Sequence, residues 1–143
     1  MTLLEAIHVY LSSKTALTAL VSTRIYRVIR PQGSELPALA YRKVSGSDEL
    51  YQSGTSTLGQ TRIGFTCWAA DPSQAEAIRD VIRDVLQNYS GTITSGAESV
   101  VVMRSHLETD AEFYDPPQDA SGSGLFSASI DVFFWWRPTA PNP

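Results

Sequence analysis

The chain has 143 residues, 43% hydrophobic and 18% charged, which suits one ordered domain burying about two thirds of its unfolded surface. Three Trp, six Tyr and five Phe exclude an intrinsically disordered chain, and eleven basic against fifteen acidic side chains, a formal net charge of −4, give a poor grip on duplex nucleic acid. The single cysteine, Cys67, leaves no intramolecular disulfide to form and suits a reducing compartment.

Thr2 followed three residues later by Glu5 is a capping box. Leu3, Leu4, Ile7 and Leu11 then recur at helical spacing, with Tyr10 near the edge of the stripe, and predict a helix over Leu3–Ser12. Leu17, Leu20 and Val21 extend an apolar face into a second short helix, Ala16–Val21. Glu5 and Lys14 interrupt the opening segment and argue against a signal peptide. No apolar run approaches the ~20 residues a membrane span needs, so no membrane partner is expected.

Ile25–Ile29 reads as a short strand broken by Pro31, Gln32, Gly33 and Ser34, and Pro37–Val44 as the next. Ser45–Gly54 is rich in Gly and Ser, carries Asp48 and Glu49, and predicts an exposed loop or hairpin tip. In Thr61–Ala69, Ile63, Phe65 and Cys67 alternate with Arg62, Thr66 and Trp68, the mark of a strand. Asp71 and Pro72 open a helix as N-cap and first residue. Ile78, Val81, Ile82, Val85, Leu86 and Tyr89 give that helix an apolar stripe, Glu76–Arg79 and Asp80–Arg83 pair charges on its wet side, and Gly91 supplies a stop.

Ser99–Leu107 predicts a strand with Val100 and Val102 on one face and Val101, Met103 and Leu107 on the other. Thr109–Gly124 is a polar excursion with two prolines. Leu125–Arg137 is the last strand: Phe126, Ala128, Ile130, Val132, Phe134 and Trp136 share one face, Ser127, Ser129, Asp131, Phe133 and Trp135 the other. Pro138–Pro143 reads as a Pro-rich, disordered tail behind a single domain of residues 1–137. This mixture without βαβ alternation predicts an α+β fold, a mostly antiparallel sheet of about five strands with two or three helices on one face.

Chemistry is sparse. His8, His106 and Cys67 lie on separate elements, and no metal-ligand spacing, nucleophile elbow or phosphate loop occurs. Cys67 between apolar strand neighbours reads as a buried, inert thiol. No catalytic, cofactor-binding or metal-ligating residue is therefore assigned, and an enzyme is not expected. Glu108, Asp110, Glu112, Asp115 and Asp119 cluster on the predicted loop, where a solvated face and a contact loop are both open readings. Phe133-Phe134-Trp135-Trp136 is the most unusual local feature. Alternate members enter one core. Phe133 and Trp135, with Trp68 on a similar face, either lie in a second core or meet another subunit, and too few helices to cover both faces favour the subunit.

Taken together, Met1–Ile7 with Leu17–Val21 and Arg24-Ile25-Tyr26, then Pro31-Gln32-Gly33, Leu36–Tyr41 and Val44-Ser45-Gly46, then Arg62–Ala69 with Glu76-Ala77, and finally Ser127–Trp136 resemble the tail-completion, or tail-terminator, proteins of long-tailed bacteriophages. The resemblance runs in order along nearly the whole chain. It implies a structural virion protein, made in the host cytoplasm, that forms a ring, usually a homohexamer, at the head-proximal end of the tail tube. Such a ring ends tube polymerisation and offers a surface to the head connector. The implied partners are further copies of the chain, the tail tube protein and the head–tail connector, with DNA passing through the lumen without specific binding. Acidic residues around that lumen would repel phosphates; on an outer contact they would instead meet basic residues such as Arg24, Arg27 and Arg30 of a neighbour. Neck adaptors share this size, which leaves the station open. The competing classes are a small hydrolase and a small-ligand-binding module; a ring seen by microscopy separates the first reading from both.

Overall fold

The computed structural model describes residues 2–28, 35–50, 57–115 and 125–138. Helix α1 (Leu3–Ser12) begins at the predicted box: the Glu5 N–H donates to Thr2 Oγ1 at 3.2 Å, and the Thr2 N–H donates to the Glu5 carboxylate at 3.1 Å. Helix α2 (Thr15–Val21) follows directly. Helix α3 (Pro72–Leu86) is capped by Asp71, which accepts from the Ser73 N–H at 3.0 Å. It ends earlier than Gly91. Gln87 is already extended, and Asn88 takes a left-handed φ of 53°, a conformation Asn tolerates. Tyr89 thus leaves the helix, and its ring lies 4.4 Å from that of Tyr10.

Among the described residues the strands are β1 (Ile25–Arg27), β2 (Ala38–Leu50), β3 (Thr57–Ala69), β4 (Gly91–Ser95), β5 (Glu98–Asp115) and β6 (Leu125–Pro138). They form a six-stranded sheet in the order β1-β2-β3-β6-β5-β4, antiparallel except for the β1–β2 pair. The α+β reading holds, with one strand more than expected. The addition is β4, whose five residues bury only Ile93 and so carry no alternating signal.

Two expected loops are partly strand. β2 continues past a bulge between Lys43 and Ser45 to Leu50, opposite Thr57. β5 continues to Asp115, opposite Leu125. Backbone ladders need no apolar side chains, so polar residues extend a hairpin once the partner strand lies alongside. The rest of those expected loops, residues 51–54 and 116–124, lies outside the described residues, as does 139–143 of the expected tail. Pro138 belongs to β6, opposite Val100.

The helices cover one face of the sheet. Ile63, Phe65, Cys67, Ile130, Val132 and Phe134 meet Leu3, Ile7, Leu11, Ile78, Ile82 and Leu86 in one core. Each large side chain so buried contributes about 1.5–3 kcal/mol. Polar tips inside are satisfied: the Tyr41 hydroxyl donates to the Leu4 carbonyl at 3.1 Å and the Tyr10 hydroxyl to that of Val85 at 2.7 Å. Bulges between Val102 and Arg104 and between Leu107 and Thr109 reset the faces of β5. Leu107, expected beside Met103, lies opposite Val132 and packs on the core, whereas Met103 is exposed.

Candidate interaction surface

The face of the sheet turned away from the helices is built from alternate residues of the central strands. Register fixes its rows: Arg42, Gly64 and Asp131; Arg62, Phe133 and His106; Gln60, Trp135 and Arg104. Phe133 and Trp135 are half-buried, with ring centroids 4.6 Å apart. The Arg104 guanidinium carbon lies 5.8 Å from the Trp135 centroid, a cation–π contact. Arg62 donates through Nε and Nη2 to Asp131 Oδ2 at 3.0 and 2.7 Å, so this pair cancels its own charge within the face.

Trp68 shares the face but not the spot. It lies opposite Ala38 and Ser127, six β6 residues from Phe133 or about 20 Å along the strand. Beside it in register comes Phe113, 60% exposed. Sequence reading passed over Phe113 and Met103 as surface apolar residues. The signal for Phe113 was an aromatic pair, Phe113-Tyr114, set among Asp110, Glu112 and Asp115.

The five carboxylates do not gather on one loop. Glu108 is exposed at the second β5 bulge. Asp110 and Glu112 turn toward the helix side, where Asp110 accepts from Arg83 at 2.5 Å and Glu112 from Arg79 at 2.9 Å. These ties to β5 replace the pairs expected within α3. Asp115 closes the strand opposite Leu125, and Asp119 lies outside the described residues. The Glu76 carboxyl is held above its ordinary range by a hydrogen bond with Glu112 and by that neighbour's charge. For Arg79, burial opposes the charge, but the hydrogen bond to Glu112 and the charges of Asp110, Asp80 and Glu112 outweigh it and hold the pKa up. Arg24, weighed as an acid's partner, donates to the Pro37 carbonyl at 2.8 Å and sits 3.6 Å from Glu35.

Cys67 is fully buried, and burial pushes its thiol up to about 12 against the pull of Arg79, leaving no thiolate near neutral pH. His8 and His106 are exposed. Among the described residues no group of three or more His, Cys, Asp and Glu is placed to hold a metal ion, and no helix is long and apolar enough to cross a membrane. A cleft between the start of α3 and the β5–β6 hairpin, lined by Pro72, Glu76, Glu112 and Phe126, has a volume of about 30 Å³, and an open groove lined by Arg83, Leu107, Glu108, Asp110 and Ile130 has about 220 Å³, both below the roughly 300–1,000 Å³ of a small-molecule pocket.

A family model described as tail completion protein gp17 matches residues 5–130. Among solved structures, a chain of one described as "Virion of native gene transfer agent (GTA) particle" superposes with a TM-score of 0.64 over 94% of this chain and 94% of that one, at 16% identity. At that identity the likeness is one of fold.

Proposed function

Since the chain belongs to the tail completion protein gp17 family, a family of structural virion proteins, we propose that it closes into a ring, probed first as a homohexamer, on the head-proximal end of a phage-type tail tube. There it ends tube polymerisation and presents a docking surface to the head connector. The observation that carries this reading is the extent of the family match, which takes in α1 from Glu5 onward, α2, α3, β1 to β5 and β6 as far as Ile130. The half-buried aromatic face supports it, because Phe133 and Trp135 suit a surface that a neighbouring subunit covers. Trp68, with Phe113 beside it in register, offers a second contact on the same face. Asp110 and Glu112 are engaged by Arg83 and Arg79, so among the described side chains repulsion of passing DNA falls to Glu108. The domain of residues 1–137 works as one unit in this reading.

Tails assembled with the protein should have set length, one ring at the head-proximal end, and joined heads. Tails assembled without it should overgrow or stay unjoined. A chain that sediments as a monomer at high concentration and also leaves no ring on tube ends overturns the proposal. A ring lodged on the head connector in tail-free particles would move the chain to a neck adaptor's station.

A further inference from the structure

The two broad surfaces of this chain carry opposite charge. On the outer sheet face Arg42, Arg104 and Arg137 flank Phe133 and Trp135. None of the three enters an ion pair among the described residues. On the opposite side of the molecule, α3 turns Ala75, Ile78, Ile82 and Leu86 into the core. Helical geometry then points Asp80 and Asp84 straight away from the sheet, while Glu76 turns toward β5, where it hydrogen-bonds Glu112. Like charges four residues apart destabilise a helix, and the chain's own fold does little to relieve them. Arg79 and Arg83 are drawn sideways to Glu112 and Asp110; Asp80 keeps only a 3.7 Å approach to Arg79. Small residues, Ser73 and Ala77, lie exposed beside the acids and leave room for a large ring to approach the helix.

We propose that the outer sheet face of one copy receives the α3 ridge of the next. Arg42, Arg104 and Arg137 meet Asp80 and Asp84, and Trp135 packs beside Ala77. The proposal rests on the ring reading and names its two patches. Because the patches differ and lie on opposite sides of one sheet, each copy holds one of each, which is the head-to-tail contact a closed ring requires. Charge complementarity of this kind selects the partner and fixes register.

A charge exchange tests it. One variant carries Arg104→Glu and Arg137→Glu; the other carries Asp80→Arg and Asp84→Arg. Circular dichroism establishes that each is folded. Alone, each variant has two like-charged patches and should associate at least about tenfold more weakly than the wild type. Mixed one to one they should form rings again, since every sheet face then meets a ridge of opposite sign. The neutral pair Arg104→Gln and Arg137→Gln puts no new charge into the fold and should lose part of the association and most of its salt dependence. Wild-type rings accompanied by unaided rings from either variant, or by a mixture that restores nothing, overturn the proposal and leave the ring reading standing. A wild type that forms no ring, free or on tube ends, fails the ring reading itself. If Arg104→Glu and Arg137→Glu leave assembly intact but abolish retention of labelled duplex DNA, the face is a nucleic-acid surface and the proposal is wrong.

Discussion

Phe134 and Trp135 are neighbours in the central strand β6 and face opposite sides of the sheet, so truncating each in turn separates folding from assembly. Phe134 is 0% exposed in the main core. Phe134→Ala removes a whole ring from a close-packed site and should cost about 3–5 kcal/mol, a large share of the roughly 5–15 kcal/mol that holds a domain folded. Trp135 is half-buried, and its replacement by Ala forfeits the ring contact with Phe133 at 4.6 Å and the cation–π contact with Arg104 at 5.8 Å. Those are worth about 0.5–1.5 and about 0.5–1 kcal/mol, so the monomer should lose about 1–2.5 kcal/mol and stay folded. If a neighbour covers the ring, Trp135→Ala should weaken association by about 2 kcal/mol or more, roughly thirtyfold. Phe133→Ala should follow Trp135→Ala in kind. Urea unfolding followed by circular dichroism reads the first quantity, and sedimentation equilibrium reads the second. A Trp135→Ala monomer as damaged as Phe134→Ala would place both residues in cores. Unchanged association at unchanged stability would remove Trp135 from any contact.

Ser105 is buried, donates to the Leu86 carbonyl and accepts from the Tyr89 N–H at 2.8 Å; Ser105→Ala strands both backbone groups and should cost about 1–3 kcal/mol in urea unfolding. A Cβ at Gly59 would fall 2.5 Å from the Trp136 indole, whose Nε1–H donates to Thr61 Oγ1 at 3.0 Å. Gly59→Ala should therefore destabilise by about 1–3 kcal/mol, and the loss should shrink in a Trp136→Leu background, as a double-mutant cycle would show. Burial raises the Cys67 thiol from 9.0 to about 12; for Tyr41, burial together with the Glu5 charge outweighs the Arg27 charge and raises the hydroxyl from 10.0 to about 12. The unfolded chain gives up these protons first as pH rises, so the stability they contribute is whole below pH 9 and drains away toward pH 12. Thermal unfolding across that range checks the sign, and Cys67 in the native protein should resist alkylation at pH 8 while the denatured chain reacts.

Where side chains alternate between a dry and a wet environment, the sequence made the fold legible. Thr61–Ala69 and Leu125–Arg137 show it, because every second residue had to reach the helices. The capping box and the Asp71-Pro72 start were visible because each satisfies orphan N–H groups with its own side chain. Legibility failed where partner backbone does the work. Ser45–Leu50 and Thr109–Asp115 are held by ladders to the strand that follows each in sequence, and their mostly polar residues write no alternating pattern. Bulges defeated the reading of Leu107, since one inserted residue exchanges the faces of all that follow. The aromatic face was visible as Phe133 and Trp135, whose parity excludes them from the core of Phe134. The partners of Asp110 and Glu112 were not, because Arg83 and Arg79 reach them across twenty-seven and thirty-three residues.

The bulges of β2 and β5 also bear on solubility. Among the described residues β1 pairs only with Leu39–Tyr41 of β2, and β4 only with Glu98–Val102 of β5. Each long strand thus leaves open backbone along a sheet margin, the kind of template on which strands stack without limit. Those margins are the strands that kink, between Lys43 and Ser45, between Val102 and Arg104, and between Leu107 and Thr109. Arg42 and Lys43 on one margin and Arg104, Glu108, Asp110 and Glu112 on the other add charge to the distortion. A twisted, charged margin makes a poor seed for amyloid-like growth, so copies are left to meet through faces, where a contact can close on itself. For a chain whose proposed task is to end one polymer, this guards against starting another.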